Sequence, residues 1–232
     1  ALAMDTVQKM LSEARNRAFV PFSGFAVGCV IEDIFGRFFC GANSEYDDRN
    51  AGLCAESCAI ADMCSTVGAV KIKNLYLCGG IVGKYSEESV LPCGLCRQRI
   101  AELSDEKTNI ICADTDGNII KTFKFSEIFP LPFSLSETAD FRKILETKRP
   151  AIKLEKGDDI KQKLQKLYDF SYPLSNKKEA AIIELENGGL IGGNYFGTSC
   201  YKADINAKTA ANARLLFQAG TSAKIRKVHS LD

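Results

Sequence analysis

Apolar side chains recur at three- and four-residue intervals over residues 6–19, at Val7, Met10, Leu11, Ala14 and Ala18, which predicts an amphipathic helix. The pattern then changes. Nearly continuous apolar stretches over 25–34 and 37–42, separated by Phe35-Gly36, predict two strands around a tight turn. Residues 43–52 are polar and predict a loop, and 53–67 predict a buried helix stopped by Gly68. A strand over 74–78 and a loop over 79–91 follow, and Pro92 stands where proline suits the opening of a helix. Residues 109–113 and 118–123 predict two more strands around Asp116-Gly117. Strands alternating with helices predict an α/β fold, a sheet covered on both faces in three α/β/α layers.

Residues 130–150 hold three prolines and a short charged helical stretch, and predict a connector. Beyond it the pattern repeats. A shift of 152 residues lays residues 21–68 on 173–220 without a gap, and eleven of the 48 pairs are identical. They include Pro21/Pro173, Ser23/Ser175, Ile31/Ile183, Glu32/Glu184, Gly36/Gly188 and Gly41/Gly193. Composition alone predicts about three or four identities. The expected organisation is a duplicated core: a catalytic domain over 1–134, a linker over 135–155 and a degenerate, truncated copy over 156–232. At the same shift Cys54-Ala55-Glu56 faces Asn206-Ala207-Lys208, and nothing matching Cys93 and Cys96 follows.

Composition narrows the chemistry. With 25% charged residues and a net charge of +1, the chain lacks the basic excess that gripping a nucleic acid requires. No apolar run approaches the ~18 residues of a membrane span, and no leader segment is expected. Ten cysteines without a leader point to a reducing, cytoplasmic setting. The single histidine, His229, leaves one candidate for every histidine-dependent triad or metalloprotease motif. A metal site in this chain therefore draws on thiolates.

Cys54-Ala55-Glu56 and Pro92-Cys93-Gly94-Leu95-Cys96 each stand at the start of a predicted helix. Two such termini facing each other bring three thiols to one point, and their partial positive charge favours thiolates. Three thiolates leave a tetrahedral zinc one open position, the mark of a catalytic site. Glu56, two residues past a ligand, points elsewhere around its helix and is placed to shuttle protons on the open side.

These residues, with Pro21-Phe22-Ser23-Gly24-Phe25-Ala26-Val27-Gly28, Gly41-Ala42-Asn43-Ser44-Glu45, Arg97-Gln98 and Pro130-Leu131-Pro132-Phe133, resemble the cytidine deaminase family over about residues 5 to 134. The resemblance implies a zinc enzyme that hydrolyses cytidine or deoxycytidine at C4 with release of ammonia, a step of pyrimidine salvage. It implies one Zn²⁺ per chain on Cys54, Cys93 and Cys96, with Glu56 as the proton carrier. Asn43 and Glu45 look like the pair that binds the ribose hydroxyl. Phe25 looks like the aromatic that stacks on the base, and the Ala55 backbone like the group that reads its polar edge. Phe133 would close the pocket, its own or a neighbour's. The duplicated chain resembles dimeric members, which implies a homodimer mimicking a four-core assembly.

One departure concerns charge. Three-cysteine members often carry arginine directly after Cys-Ala-Glu, where it offsets surplus thiolate charge; here that residue is Ser57, and Arg97 is the candidate replacement. Other readings stay open at this level. Cys58, one turn beyond Cys54, could complete a closed Cys54/Cys58/Cys93/Cys96 structural site without catalysis, or Cys93 and Cys96 could form a redox pair. Blasticidin S is an alternative substrate. The remaining cysteines, Cys29, Cys40, Cys58, Cys64, Cys78, Cys112 and Cys200, are expected in the core as small hydrophobes.

Overall fold

The computed structural model describes residues 4–134, 141–172 and 177–232. Pro173 and Ser175 of the repeat, and 135–140 of the expected linker, lie outside them. The chain divides into two compact units, one of Ala1–Ile60 with Lys71–Phe133, the other of Ala61–Val70 with Ser134–Asp232. No helix among the described residues is long and apolar enough to cross a membrane.

The first unit runs α1 (Met4–Arg15), β1 (Phe25–Asp33), β2 (Phe38–Ala42), α2 (Ala55–Val67), β3 (Ile72–Ile81), α3 (Gly94–Leu103), β4 (Asn109–Ala113), β5 (Ile119–Lys124) and a single turn, α4 (Phe125–Ile128). The boundary between the units falls within α2. The sheet order is β2-β1-β3-β4-β5, with β3 and β4 parallel and the other neighbours antiparallel. Val7 and Leu11 of α1 pack on Val30, Tyr76, Cys78, Ile111 and Ala113. The pleat sends Cys29, Ile31, Leu75, Leu77, Ile110 and Cys112 to the opposite face, where all are fully buried. There α2 lies almost on the backbone of β2: a Cβ on Gly41 would meet Ala59 N at 2.3 Å and Ala55 O at 2.4 Å. The expected three layers are present.

Three elements differ in extent from the sequence pattern, each for a local reason. The first helix stops at Arg15, because Phe19 N donates to Asn43 O at 3.0 Å and joins Ser44 in a bridge. α2 begins at Ala55, since Leu53 pairs with Ser44. β3 runs through Gly79 and Gly80, which the pattern assigned to a loop. Glycine is needed inside this strand: a Cβ on Gly79 would lie 2.9 Å from Val90 Cγ2 and 3.2 Å from Phe25 Cε1.

The second unit adds a 3₁₀ turn (Phe141–Glu146), α5 (Ile160–Asp169), β6 (Ala180–Leu185), β7 (Leu190–Asn194), a 3₁₀ turn (Tyr201–Ala203), α6 (Ala207–Ala219) and β8 (Ile225–Leu231). Its sheet is β7-β6-β8, all antiparallel. Leu164 and Leu167 of α5 pack on Ala180 and Ile182, while Ala181, Ile183 and Leu185 face Ala207, Ala211 and Leu215 of α6. The 152-residue shift carries β2 onto β7 and α2 onto α6 end to end. The close approach moves with it: a Cβ on Gly193 would meet Ala207 O at 2.3 Å and Ala211 N at 2.4 Å. The Ser44/Leu53 bridge returns as Phe196/Ile205, and the irregularity at Glu32/Asp33 returns at Glu184/Leu185. The fold is duplicated. Among the described residues, the second copy shows no counterpart of α3, β4 and β5. His229 lies on β8, with Nε2 3.0 Å from Glu184 Oε2.

Candidate metal centre and substrate cavity

The N-termini of α2 and α3 meet on one side of the first unit's sheet. Cys54, Cys93 and Cys96 bring their sulfurs within 4.8 Å of one another, the only such cluster of metal-ligating side chains among the described residues. Cys54 Sγ and Cys93 Sγ are 3.8 Å apart. Tetrahedral zinc with Zn–S bonds of about 2.3 Å requires an edge of about 3.8 Å between sulfurs, which this pair matches, and three thiols fit the ion in chemistry. Cys58 is buried one turn deeper and stands outside the cluster, which removes the closed four-cysteine arrangement. Hydrogen bonds from the Cys54 and Cys96 thiols, together with the backbone amides of Cys96 and Leu95, hold Cys93 far below the usual thiol range. The bond to Cys93 pushes Cys54 above that range, and bonds to Cys54 and then Cys93 push Cys96 above it.

Glu56 is 4% exposed and sits against this cluster. Burial pushes its carboxyl up to about 7; a hydrogen bond from its own backbone opposes this, the Cys93 sulfur adds to it, and Cys96 and the Arg99 cation pull the other way. A carboxyl so poised can both take and give a proton near neutrality.

Beside the sulfurs lies a cavity of about 650 Å³, lined among others by Phe22, Ser23, Asn43, Glu45, Arg49 and Cys54. The antiparallel Ser44/Leu53 bridge closes the intervening loop, so Asn43 lies opposite Cys54 and Glu45 opposite Gly52. Asn43 Oδ1 accepts from Val27 N at 2.8 Å and its Nδ2 donates to Phe25 O at 2.9 Å, tying it to the start of β1. Glu45 accepts from Phe22 N at 3.1 Å, Ser23 N at 3.0 Å and the Ser23 hydroxyl at 2.5 Å. Burial alone would raise its pKa, but the Ser23 bonds and the Phe22 amide win and hold it below the ordinary carboxylate value. A hollow of about 710 Å³ between α5 and β8 in the second unit is larger but has no thiol cluster against it.

The other expected site residues are placed as follows. Ala55 is fully buried at the first turn of α2. Phe25 begins β1, with its ring over Gly79, and does not line the cavity. Phe133 is 57% exposed, its backbone N–H and C=O both bonded to the Gln98 amide at 3.2 and 2.8 Å. Arg97 is not turned to the sulfurs as expected. Its Nε donates to Pro92 O at 2.8 Å and its Nη1 to Ile128 O at 2.9 Å, so it fastens the loop ends around α3. The sequence reading missed Ser57 and Arg99. Arg99 Nη1 donates to Ser57 Oγ at 2.7 Å, and that oxygen lies 3.3 Å from Cys96 Sγ. The signal was available: Ser57 follows Cys54 by three and Arg99 follows Cys96 by three, which puts each pair on one helix face. Of the seven cysteines expected in the core, Cys29, Cys58, Cys64, Cys78 and Cys112 are buried, while Cys40 and Cys200 are half-buried; none of the ten forms a disulfide among the described residues.

Residues 3–112 match the family model of the cytidine and deoxycytidylate deaminase zinc-binding region. The cytidine deaminase of Mycoplasma genitalium is 35% identical over 133 residues, 57% of this chain and 97% of that protein. That of Vibrio parahaemolyticus is 22% identical over 220 residues, 94% of this chain and 69% of its own length, a match running through both units. The crystal structure of cytidine deaminase from Mycobacterium tuberculosis covers 58% of this chain and 100% of its own, at 26% identity and a TM-score of 0.48.

Proposed function

Since the chain belongs to the cytidine deaminase family, we propose that it hydrolyses the exocyclic amino group of cytidine or deoxycytidine, releasing ammonia and the uracil nucleoside. The observation that carries this reading is the convergence of three sulfurs within 4.8 Å of one another, one pair at 3.8 Å, with a buried glutamate beside them. Zinc held by Cys54, Cys93 and Cys96 supplies a Lewis acid that brings the ionisation of water into the neutral range.

The chain's own residues do the rest. Glu56 gives a proton to ring N3 as C4 becomes tetrahedral, then carries the nucleophile's proton to the departing amine; a pKa near 7 suits a group that acts first as acid and then as carrier. Glu45, fixed by Phe22 and Ser23, and Asn43, fixed by β1, are positioned at the cavity wall for the sugar hydroxyl. Their orientation is set before substrate arrives, which spares the ordering cost on binding. The Ala55 backbone reads the polar edge of the base, and Phe25 packs behind it. The exposed Phe133, clamped by Gln98, covers the pocket or that of a neighbouring chain.

We assign 1–134 to the catalytic domain, 135–155 to the linker and 156–232 to a copy without chemistry. Two chains pairing as a homodimer would assemble four cores. A role in pyrimidine salvage in the cytoplasm is the reading that goes with this substrate, and ten cysteines without a disulfide support it. The test is ammonia release across cytidine, deoxycytidine, cytosine and blasticidin S, on protein carrying one zinc. Turnover of the two nucleosides is expected, and its absence with zinc bound refutes the reading.

A further inference from the structure

Three thiolates around a divalent cation leave a net charge of −1 in the protein interior, and an uncompensated buried charge is costly. A compensating cation should therefore stand within reach of the sulfurs, and Arg97 is spent on Pro92 and Ile128. Arg99 is placed differently. It is 5% exposed and carries a permanent charge into the interior beside the cluster. Its Nη1 donates to Ser57 Oγ at 2.7 Å. Because that bond fills an acceptor site of the hydroxyl, the hydroxyl's own hydrogen is free to point at Cys96 Sγ, 3.3 Å away. Ser57 is fully buried, so water does not compete for either bond.

We propose that Arg99, acting through the Ser57 hydroxyl on Cys96 Sγ, is the positioning residue that offsets the surplus negative charge of the metal centre, an inference that rests on the reading of Cys54, Cys93 and Cys96 as zinc ligands. The direction of the chain, guanidinium to hydroxyl to sulfur, draws electron density off the sulfur. A less basic sulfur leaves the metal a stronger Lewis acid, and neighbours that tune ligands in this way typically alter affinity or activity by ~10–100-fold. The two helices contribute symmetrically: each supplies a ligand and, three residues on, one member of the relay. Position 57 thus holds a short hydroxyl bonded to Arg99, and the charge is delivered from α3 instead of α2.

The test substitutes cobalt(II) for zinc in the full chain and in the Ser57→Ala and Arg99→Lys variants. The energy of the sulfur-to-cobalt charge-transfer band reports the charge on sulfur, and kcat and KM are measured on the zinc forms. In Ser57→Ala the band should move to lower energy and kcat should fall ~10-fold with KM nearly unchanged. Arg99→Lys, which keeps the cation but shortens the fork, should lie between the two. If the full chain binds one cobalt without a sulfur band, the ligand assignment itself fails. If the band is present in the full chain and stays put in Ser57→Ala and Arg99→Lys, the ligand assignment stands and the relay is refuted. Should Ser57→Ala not bind metal, the Arg99→Lys band alone decides, and an unshifted band overturns the proposal.

Discussion

A methyl group at Gly41 separates scaffold from chemistry in a way its duplicate allows to be checked. The added Cβ would lie 2.3 Å from Ala59 N and 2.4 Å from Ala55 O, both backbone atoms that no side-chain rotation can move aside. Ordinary contact begins at 3.4 Å, so α2 must retreat from β2 by about 1 Å. Overpacking of this kind costs ~1–3 kcal/mol, and the rigid partners place it at the upper end. For a chain of this size ~3 kcal/mol lowers Tm by ~6–12 °C. The displaced turn of α2 carries Cys54 and Glu56, and a misplacement of ~1 Å at a reacting group costs ~10²-fold in rate. Gly193→Ala builds the same clash against Ala207 and Ala211, where Asn206 and Lys208 stand in place of Cys54 and Glu56. Both variants should therefore lose similar stability in thermal melts. Only Gly41→Ala should lose kcat/KM by ~10²-fold and release zinc faster to a coloured chelator, with activity compared per folded, zinc-loaded chain. Equal activity losses in the two variants, or a Gly41→Ala enzyme of full activity, would refute both the packing argument and the assignment of chemistry to the first copy.

Further outcomes follow from the same site. Glu56→Gln should bind one zinc by elemental analysis and lose kcat by ~10²–10⁴-fold, the range for removing a proton carrier; near-normal turnover refutes its role. Cys58→Ser should leave zinc content at one per chain, and zinc loss would restore the four-cysteine site. The Glu45 carboxyl titrates below its ordinary value of 4.5, so its clamp on Phe22 and Ser23 is fully present above that pH and is lost as pH falls through the lower folded value. Acid unfolding of Glu45→Gln should accordingly be less steep below pH 4.5 than that of the parent, and identical profiles would refute the clamp. Sedimentation should give a species of twice the chain mass; a stable monomer refutes the homodimer.

The sequence carried the layers, the repeat and the three sulfurs because each leaves a periodic or spaced trace. The apolar stripe at Val7, Leu11 and Ala14 declares α1, and Pro92-Cys93-Gly94-Leu95-Cys96 declares a helix start with two ligands. What escaped depends on distances between elements that spacing does not encode. Gly79 and Gly80 read as a loop until Phe25 and Val90 are seen passing over the strand. Arg97 stands nearer the ligands in sequence than Arg99, yet the turn of α3 aims Arg97 at the Pro92 and Ile128 carbonyls and Arg99 at Ser57. Proximity in sequence points to Arg97; the helical period, applied from Cys96, points to Arg99, the residue whose guanidinium reaches Ser57.

The second copy places different groups at the positions of copy one's candidate site, and several are bonded within the chain. In copy one, the position opening α2 is Cys54, whose sulfur faces Cys93 across 3.8 Å. In copy two it is Asn206, whose side chain accepts from Thr209 N at 2.9 Å and caps α6, a bond worth about 1 kcal/mol. The next residue repeats the contrast. Ala55, whose backbone is assigned to the substrate's base, has its counterpart in Ala207, whose N–H donates to Glu179 Oε2 at 3.2 Å. Glu179 is in turn paired with Lys177 at 2.6 Å, the residue standing where copy one has Phe25. At the counterpart of Asn43, the Tyr195 hydroxyl is bonded to Asp204. At three of the candidate-site positions, 206, 207 and 195, the second copy thus carries a group bonded within the chain. In copy one the polar edges Asn43 and Glu45 are held by the chain as well, so the contrast lies at the helix start, where Cys54 faces Cys93 and Asn206 caps its own helix. The cap at Asn206 and the carboxylate at Glu179 satisfy within the chain the first amides of α6.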